Sequence, residues 1–124
     1  KSLAHLPRDY AKLPSVSFVI PNLENDMHDG TIETADTWLR THLGGYAAWS
    51  KKNNSLLVVT FDEDDYHTEN HIFTVFYGSG IESGRYSERI DHYSVLRTIE
   101  DIESIPPLGT SVIRRVIASG WSRR

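Results

Sequence analysis

The chain has 124 residues, a formal net charge of -4, 39% apolar residues and no cysteine. That length holds one domain at most, or part of one, with a modest core. The mild acidity argues against a nucleic-acid-binding stripe, no apolar run approaches the ~20 residues of a membrane helix, and without cysteine there are no disulfides, thiolate metal sites or cysteine nucleophiles.

The opening, KSLAHLPRDYAKLPS, is punctuated by Pro7 and Pro14 and has no periodicity. It reads as the middle of something, so the chain is expected to be a segment of a longer protein. SVSFVI, residues 15–20, alternates and ends at Pro21, as a strand does. PNLENDMHDGT, residues 21–31, is polar and ends in Asp-Gly-Thr, a loop at a strand's carboxyl end. Next, Ala35, Trp38, Leu39, His42 and Leu43 share one helical face. Gly44-Gly45 is expected to break that helix, with a second short helix from Tyr46 to about Lys52 and a turn at Asn53-Asn54.

SLLVVTF, residues 55–61, is a continuous apolar run, the pattern of a strand covered on both faces. HIFTVFYG, residues 71–78, is a third strand, followed by a turn-rich connector holding Gly80 and Gly84. HYSVLRTIEDI, residues 92–102, is helical, with Asp91 as its N-cap and Pro106-Pro107 as its stop. SVIRRVIASGW, residues 111–121, fits a last short helix or an edge segment. The succession strand, helix, strand, strand, helix predicts an α/β fold with a partly parallel sheet. Residues 15–61 fit a right-handed βαβ crossover. In open sheets of that kind ligands bind beyond the carboxyl ends of the strands. Parallel strands would bring the loop of Asn25, Asp26 and His28 and the loop of Asp62 and Glu63 to one edge.

The second loop raises the sharpest chemical question. In FDEDDYHTEN, residues 61–70, five of ten residues are acidic, and crowded carboxylates resist ionising beside one another. Either the turn is fully solvated or a cation is meant to sit there. Asp62 and Glu63 directly follow the strand. Hard oxygen ligands suit Mg, Ca or Mn, and mixed carboxylate and imidazole sites suit Zn or Fe. An EF-hand does not match, because His67 stands where that loop needs glycine and Phe73 where it needs glutamate.

His28 lies between Asp26 and Asp29, and neighbouring carboxylates raise a histidine's pKa toward use as an acid near neutral pH. A turn histidine bonded to its neighbours is the plainer reading. His92 opens a helix, where an oxyanion or a metal could bind, although Asp91 competes with an anion. His71 reads as structural, His42 and His67 as surface residues, Arg85 and Arg89 as solvated, and Trp38, Trp49 and Trp121 as packing. No GxSxG, GxxxxGK[ST], HExxH or GxGxxG motif occurs.

Three blocks, PNLENDMHDGTIETADTWL, SLLVVTFDEDD and NHIFTVFYGSGIESGRYSERIDHYSVLRTIEDI, resemble in order and spacing the C-terminal half of the bacterial phosphoesterase family. That family holds acid phosphatases and phospholipases C within the alkaline phosphatase superfamily. The resemblance covers residues 16–108. It implies part of an alkaline-phosphatase-like three-layer sandwich with a mostly parallel sheet, metal-dependent phosphoester hydrolysis by the parent protein, and a secreted or periplasmic address in the family's manner.

By motif, the resemblance makes Asp62 and Glu63 ligands of a divalent metal ion. It makes His28 the group that meets the phosphate or protonates the leaving oxygen, with Asp26 supporting it, and it places His92 near the same site. The family's Glu-Asn pair and nucleophilic Ser or Thr are not in this chain, so the expected partners are a phosphoester substrate and the N-terminal half of the domain. The chain alone is expected to be inactive and to risk self-association through an exposed sheet edge. In IEDIESIPPLG, Glu103-Ser104-Ile105 replaces the family's usual aromatic-glycine turn, and Asp91 stands where Asn is usual. The competing reading is a non-catalytic metal- or anion-binding module with a structural ion at Asp62 and Glu63.

Overall fold

The structure, a computed structural model, describes residues 2–67 and 69–122. The chain divides into two compact units, Lys1–Gly80 and Ile81–Arg124. Among the described residues, no helix is long and apolar enough to cross a membrane.

In the first unit, helix α1 (Ile32–Ser50) packs on strands β1 (Leu56–Thr60) and β2 (Thr74–Gly78). Thr31 caps α1, its hydroxyl accepting from the Thr34 N–H at 3.2 Å. Glu33 in the first turn complements the helix dipole. The inward face carries the buried Leu43 and Ser50. Tyr46 Oη donates to the Leu56 carbonyl at 3.1 Å and ties the helix to β1.

The expected break at Gly44-Gly45 does not occur, and the two short helices are one helix of 19 residues. Each interior glycine costs about 1 kcal/mol relative to alanine, but contacts around the second glycine offset that. The Tyr10 ring lies 5.5 Å from Tyr46 and 5.8 Å from Trp49, and Tyr46 and Trp49 are 5.8 Å apart. Such pairs contribute about 0.5–1.5 kcal/mol each beyond area burial. A Cβ on Gly45 would stand 2.6 Å from Tyr10 Oη, so glycine is what admits the tyrosine.

The sheet also differs from the expectation. β1 and β2 run antiparallel, from Leu56 opposite Gly78 to Thr60 opposite Thr74. The Thr60 and Thr74 hydroxyls meet at 3.0 Å across the pair. Residues 15–20 form no strand, so no βαβ crossover is made and no parallel sheet is present among the described residues. Alternation makes a segment competent to pair, but a strand exists only when a partner's backbone satisfies its N–H and C=O groups. Phe18 and Ile20 remain 80% and 84% exposed, an unpartnered apolar surface. β1 is half-buried over its apolar residues rather than fully covered.

In the second unit, α2 spans His92–Ile102, as its local signals predict. Asp91 Oδ1 accepts from the Ser94 N–H at 2.8 Å while Ser94 Oγ accepts from the Asp91 N–H at 3.3 Å, a reciprocal cap. At the other end the Ser104 N–H donates to the Asp101 carbonyl at 3.1 Å and the Ile105 N–H to the Glu100 carbonyl at 2.8 Å. This is a Schellman turn, and Ser104 takes φ +56 within it, at the position where the family pattern carries glycine.

The following segment folds back along α2. Ser111 Oγ donates to the buried Glu100 Oε1 at 3.0 Å, and the Ile117 N–H donates to the buried Thr98 Oγ1 at 3.0 Å. The Arg114 Nε donates to Asp91 Oδ2 at 2.6 Å. Residues 111–121 form neither a full helix nor an edge strand. A 3-10 turn covers Gly109–Ile113, and Trp121 makes a single bridge to Ile81.

Candidate functional site

The loop of residues 21–31 closes on its own backbone. The Asn25 and Asp26 N–H groups donate to the Asn22 carbonyl at 2.8 and 3.1 Å, and the Asp29 N–H to the Leu23 carbonyl at 2.9 Å. Met27 takes φ +75, a sparsely populated conformation of the kind held at functional loops. Gly30 is required by close approach, since a Cβ there would lie 1.9 Å from the Glu24 carbonyl oxygen.

This closure fixes His28 at both ends of the residue. Its N–H donates to Asp26 Oδ1 at 2.9 Å, and its Nδ1 lies 2.9 Å from Asp29 Oδ1. Asp26 therefore supports the histidine through the backbone, whereas Asp29 holds the ring. The Asp29 hydrogen bond and then its charge raise the His28 pKa above 6.5, with smaller contributions in the same direction from Asp26 and Glu63. With Nδ1 engaged, Nε2 is the nitrogen available to pass a proton to a substrate oxygen.

In the acidic loop the carboxylates have different tasks. Asp64 organises the turn: its Oδ1 accepts from the Tyr66 N–H at 2.8 Å and its Oδ2 from the Asn70 N–H at 2.7 Å, while Asn70 Oδ1 accepts from the Asp64 N–H at 3.2 Å. Asp65 Oδ1 accepts from the His67 N–H at 3.2 Å. Glu63 Oε1 accepts from Tyr66 Oη at 2.5 Å, a bond that with the Glu63 charge raises the tyrosine's pKa. Tyr66, Glu69 and Asn70 all take positive φ. Asp62, Glu63, Asp64, Tyr66, Glu69 and Asn70 line a shallow open depression.

Among the described residues, no group of three or more His, Asp or Glu side chains is gathered to hold a metal. Asp62 and Glu63 are hard oxygen donors, but one oxygen of Glu63 is committed to Tyr66. By themselves these residues do not complete a metal shell. His92 is the first residue of α2 in the second unit, beside the Asp91 cap.

Sequence reasoning named Asp29 as a neighbour of His28 without singling it out as the ring partner, and it missed Tyr66 as the partner of Glu63 and Asn70 as the latch of the acidic loop. The adjacency of His28 and Asp29 carried the first. The other two depend on left-handed backbone turns that the sequence does not announce.

The description "Phosphoesterase family" matches residues 1–106. This chain belongs to the phosphoesterase family. Both loops lie inside the matched span. A phosphatidylinositol-3-phosphatase of Mycobacterium tuberculosis is 53% identical over 115 residues, covering 93% of this chain and 38% of that protein. An acid phosphatase of Aspergillus fumigatus is 35% identical, over 79% of this chain and 23% of its own length. A phosphate-repressible acid phosphatase of Penicillium chrysogenum is 32% identical, over 78% of this chain and 25% of its own. This phosphoesterase chain thus spans less than two fifths of each of these relatives. No solved structure matches it.

Proposed function

We propose that this chain is the part of a longer phosphoesterase that carries the leaving-group acid and two carboxylate ligands, and that the whole protein hydrolyses phosphoesters. The family match over residues 1–106 carries this reading. The relatives' names, all phosphatases, favour phosphomonoesters over diesters.

In the proposed reaction a nucleophile supplied by the rest of the protein attacks phosphorus. As the P–O bond to the leaving alcohol breaks, His28 Nε2 gives its proton to the departing oxygen. Asp29 stabilises the imidazolium beforehand and sets the ring through Nδ1, and Asp26 holds the backbone at that point. Correct placement of such an acid contributes about 10²–10⁴ in rate.

Asp62 and Glu63 are proposed to supply part of a divalent-metal shell that is completed from outside this chain. When bound, such an ion would neutralise charge building on the phosphoryl oxygens. His92 is proposed to serve the same reaction, on the strength of the HYS block alone. In the longer protein, residues 15–20 are proposed to join a mostly parallel sheet within a three-layer sandwich, which would cover Phe18 and Ile20. Left unpaired, that run invites pairing with another copy. A secreted or periplasmic address belongs to the same proposal.

A phosphatase assay on the isolated chain and on the full-length protein tests the reading. Turnover by the full-length protein and none by the chain is expected, because phosphoryl transfer depends on parts held in place together. Strong activity from the isolated chain would show that the nucleophile has been misplaced. Absence of activity in the full-length protein would remove the function.

A further inference from the structure

We propose that Arg114 is a positioning residue for His92: it cancels the charge of Asp91 beside that histidine and so lets an anionic phosphoryl group approach it. The inference rests on the phosphoester reading above, in which His92 serves the reaction. It adds a residue from beyond the matched family span of 1–106.

Arg114 touches both chain neighbours of His92. Its Nε donates to Asp91 Oδ2 at 2.6 Å, and its guanidinium carbon lies 5.8 Å from the centre of the Tyr93 ring. Asp91 Oδ1 is already spent on the cap of α2, accepting from the Ser94 N–H at 2.8 Å and from Ser94 Oγ at 3.0 Å. Both carboxylate oxygens are therefore engaged, one by the helix itself and one by a residue 23 positions further on.

The segment that carries Arg114 is anchored independently of this pair. Before it in sequence, Ser111 Oγ donates to Glu100; after it, the Ile117 N–H donates to Thr98, and the Ala118 and Ser119 N–H groups donate to the Glu88 carboxylate at 3.1 and 2.7 Å. The guanidinium is thus delivered to Asp91 by contacts that do not involve it.

Charge makes the contact more than a fastening. Asp91 stands where the family pattern carries asparagine, and asparagine caps a helix about as well as aspartate. The helix therefore does not require the negative charge that aspartate places next to His92. Burial works against that charge, but the Ser94 N–H and then the Arg114 bond outweigh it and hold the carboxyl below its ordinary 3.8, so it is ionised near neutral pH. A bare carboxylate there would repel phosphoryl oxygens. Paired with a guanidinium, which stays charged throughout, it presents no net charge to them.

The test uses the full-length protein with Arg114→Gln, and with Arg114→Gln combined with Asp91→Asn. The single variant leaves Asp91 unpaired. Its KM for p-nitrophenyl phosphate should rise about tenfold with kcat little changed, the scale of one like charge facing the phosphate across a partly solvated gap. The double variant removes the repelling charge as well, and its KM should return to within about twofold of the unmutated value. A contact that only fastened the C-terminal segment would be lost in both variants alike. No rise in the single variant, or no recovery in the double, overturns the inference. Asp91→Asn alone keeps the cap and leaves Arg114 uncompensated, so it should lower KM. A KM unchanged or raised in that variant also overturns the inference.

Independently of activity, inorganic phosphate titrated into the unmutated protein should shift the His92 ring resonances saturably, the signals being assigned with His92→Gln. About tenfold more phosphate should be needed in Arg114→Gln. No shift in the unmutated protein, or equal affinity in the two, overturns the inference even if the protein is a phosphatase. The expected shifts without hydrolysis of any phosphoester uphold the role of Arg114 and remove the function.

Discussion

Asp64 and Asn70 latch the acidic loop reciprocally: each backbone N–H donates to the other's side chain, at 3.2 Å into Asn70 Oδ1 and 2.7 Å into Asp64 Oδ2. The crowding of carboxylates after β1 is thereby partly resolved without a cation. Asp64 spends its charge on two backbone N–H groups, and Asp65 on a third. Asp62 and Glu63, at the strand's end, are the pair proposed above as metal ligands, and one oxygen of Glu63 already accepts from Tyr66 Oη. Asn70 also occupies φ +61, which asparagine tolerates better than most side chains. Replacing it with alanine is expected to destabilise by about 1 kcal/mol and to speed amide exchange at Asp64. Asn70→Gly should keep the backbone turn but still speed that exchange. Unaltered exchange in both variants would show that the latch does not hold the loop.

The His28 imidazole should titrate above 6.5, held up first by the hydrogen bond to Asp29, then by the charges of Asp29, Asp26 and Glu63. A histidine with a raised folded-state pKa adds stability that is fully present below its unfolded value of 6.5 and lost as pH rises through the folded value. His28 is exposed, so its chemical use matters more than that increment: it stays charged, and able to act as an acid, to higher pH than a free histidine. NMR titration of the ring should give a midpoint above 6.5, with Asp29→Asn lowering it more than Glu63→Gln. A midpoint at or below 6.5 would remove the basis for an acid at this position.

Ser104 stands in the left-handed C-terminal turn of α2 at φ +56. An L side chain there costs about 1–2 kcal/mol that glycine avoids, part of which glycine returns as unfolded-chain entropy. Ser104→Gly is expected to stabilise by about 0.5–1 kcal/mol in denaturant unfolding. A destabilisation would mean that the serine makes a compensating contact.

The paired glycines of α1 offer a controlled comparison. A Cβ on Gly44 meets nothing within 4 Å, whereas one on Gly45 meets Tyr10 Oη at 2.6 Å. Gly44→Ala should gain the helix-propensity difference of about 1 kcal/mol. Gly45→Ala should gain less or lose, because Tyr10 must leave its place against Tyr46 and Trp49. Equal gains from the two variants would show that the aromatic packing does not depend on the glycine.

These cases also show where sequence reading holds and where it stops. α2 was legible to the residue because its signals are local: Asp91 caps it and Ser94 answers the cap. The strand residues around Leu56–Thr60 and Thr74–Gly78 were legible from apolar character, but their antiparallel pairing was not, since the long loop between them permits either direction. Residues 15–20 have a strand's pattern with no described partner to pair with. The helix ran through Gly44-Gly45 because aromatic contacts from Tyr10, far away in sequence, outweighed local propensity. At the candidate site, the sequence singled out His28 and the Asp62-Glu63 pair. The roles of Tyr66 and Asn70 emerge only once left-handed turns bring them round.

The proposed role of His28 is to protonate the leaving oxygen. It is tested most directly by comparing, in the full-length protein and its His28→Ala variant, the hydrolysis of an alkyl phosphate with that of p-nitrophenyl phosphate. An alkoxide needs a proton to leave, and p-nitrophenolate does not. The variant should lose about 10²-fold or more on the alkyl phosphate and far less on the aryl one. Equal losses on both substrates would contradict the assignment.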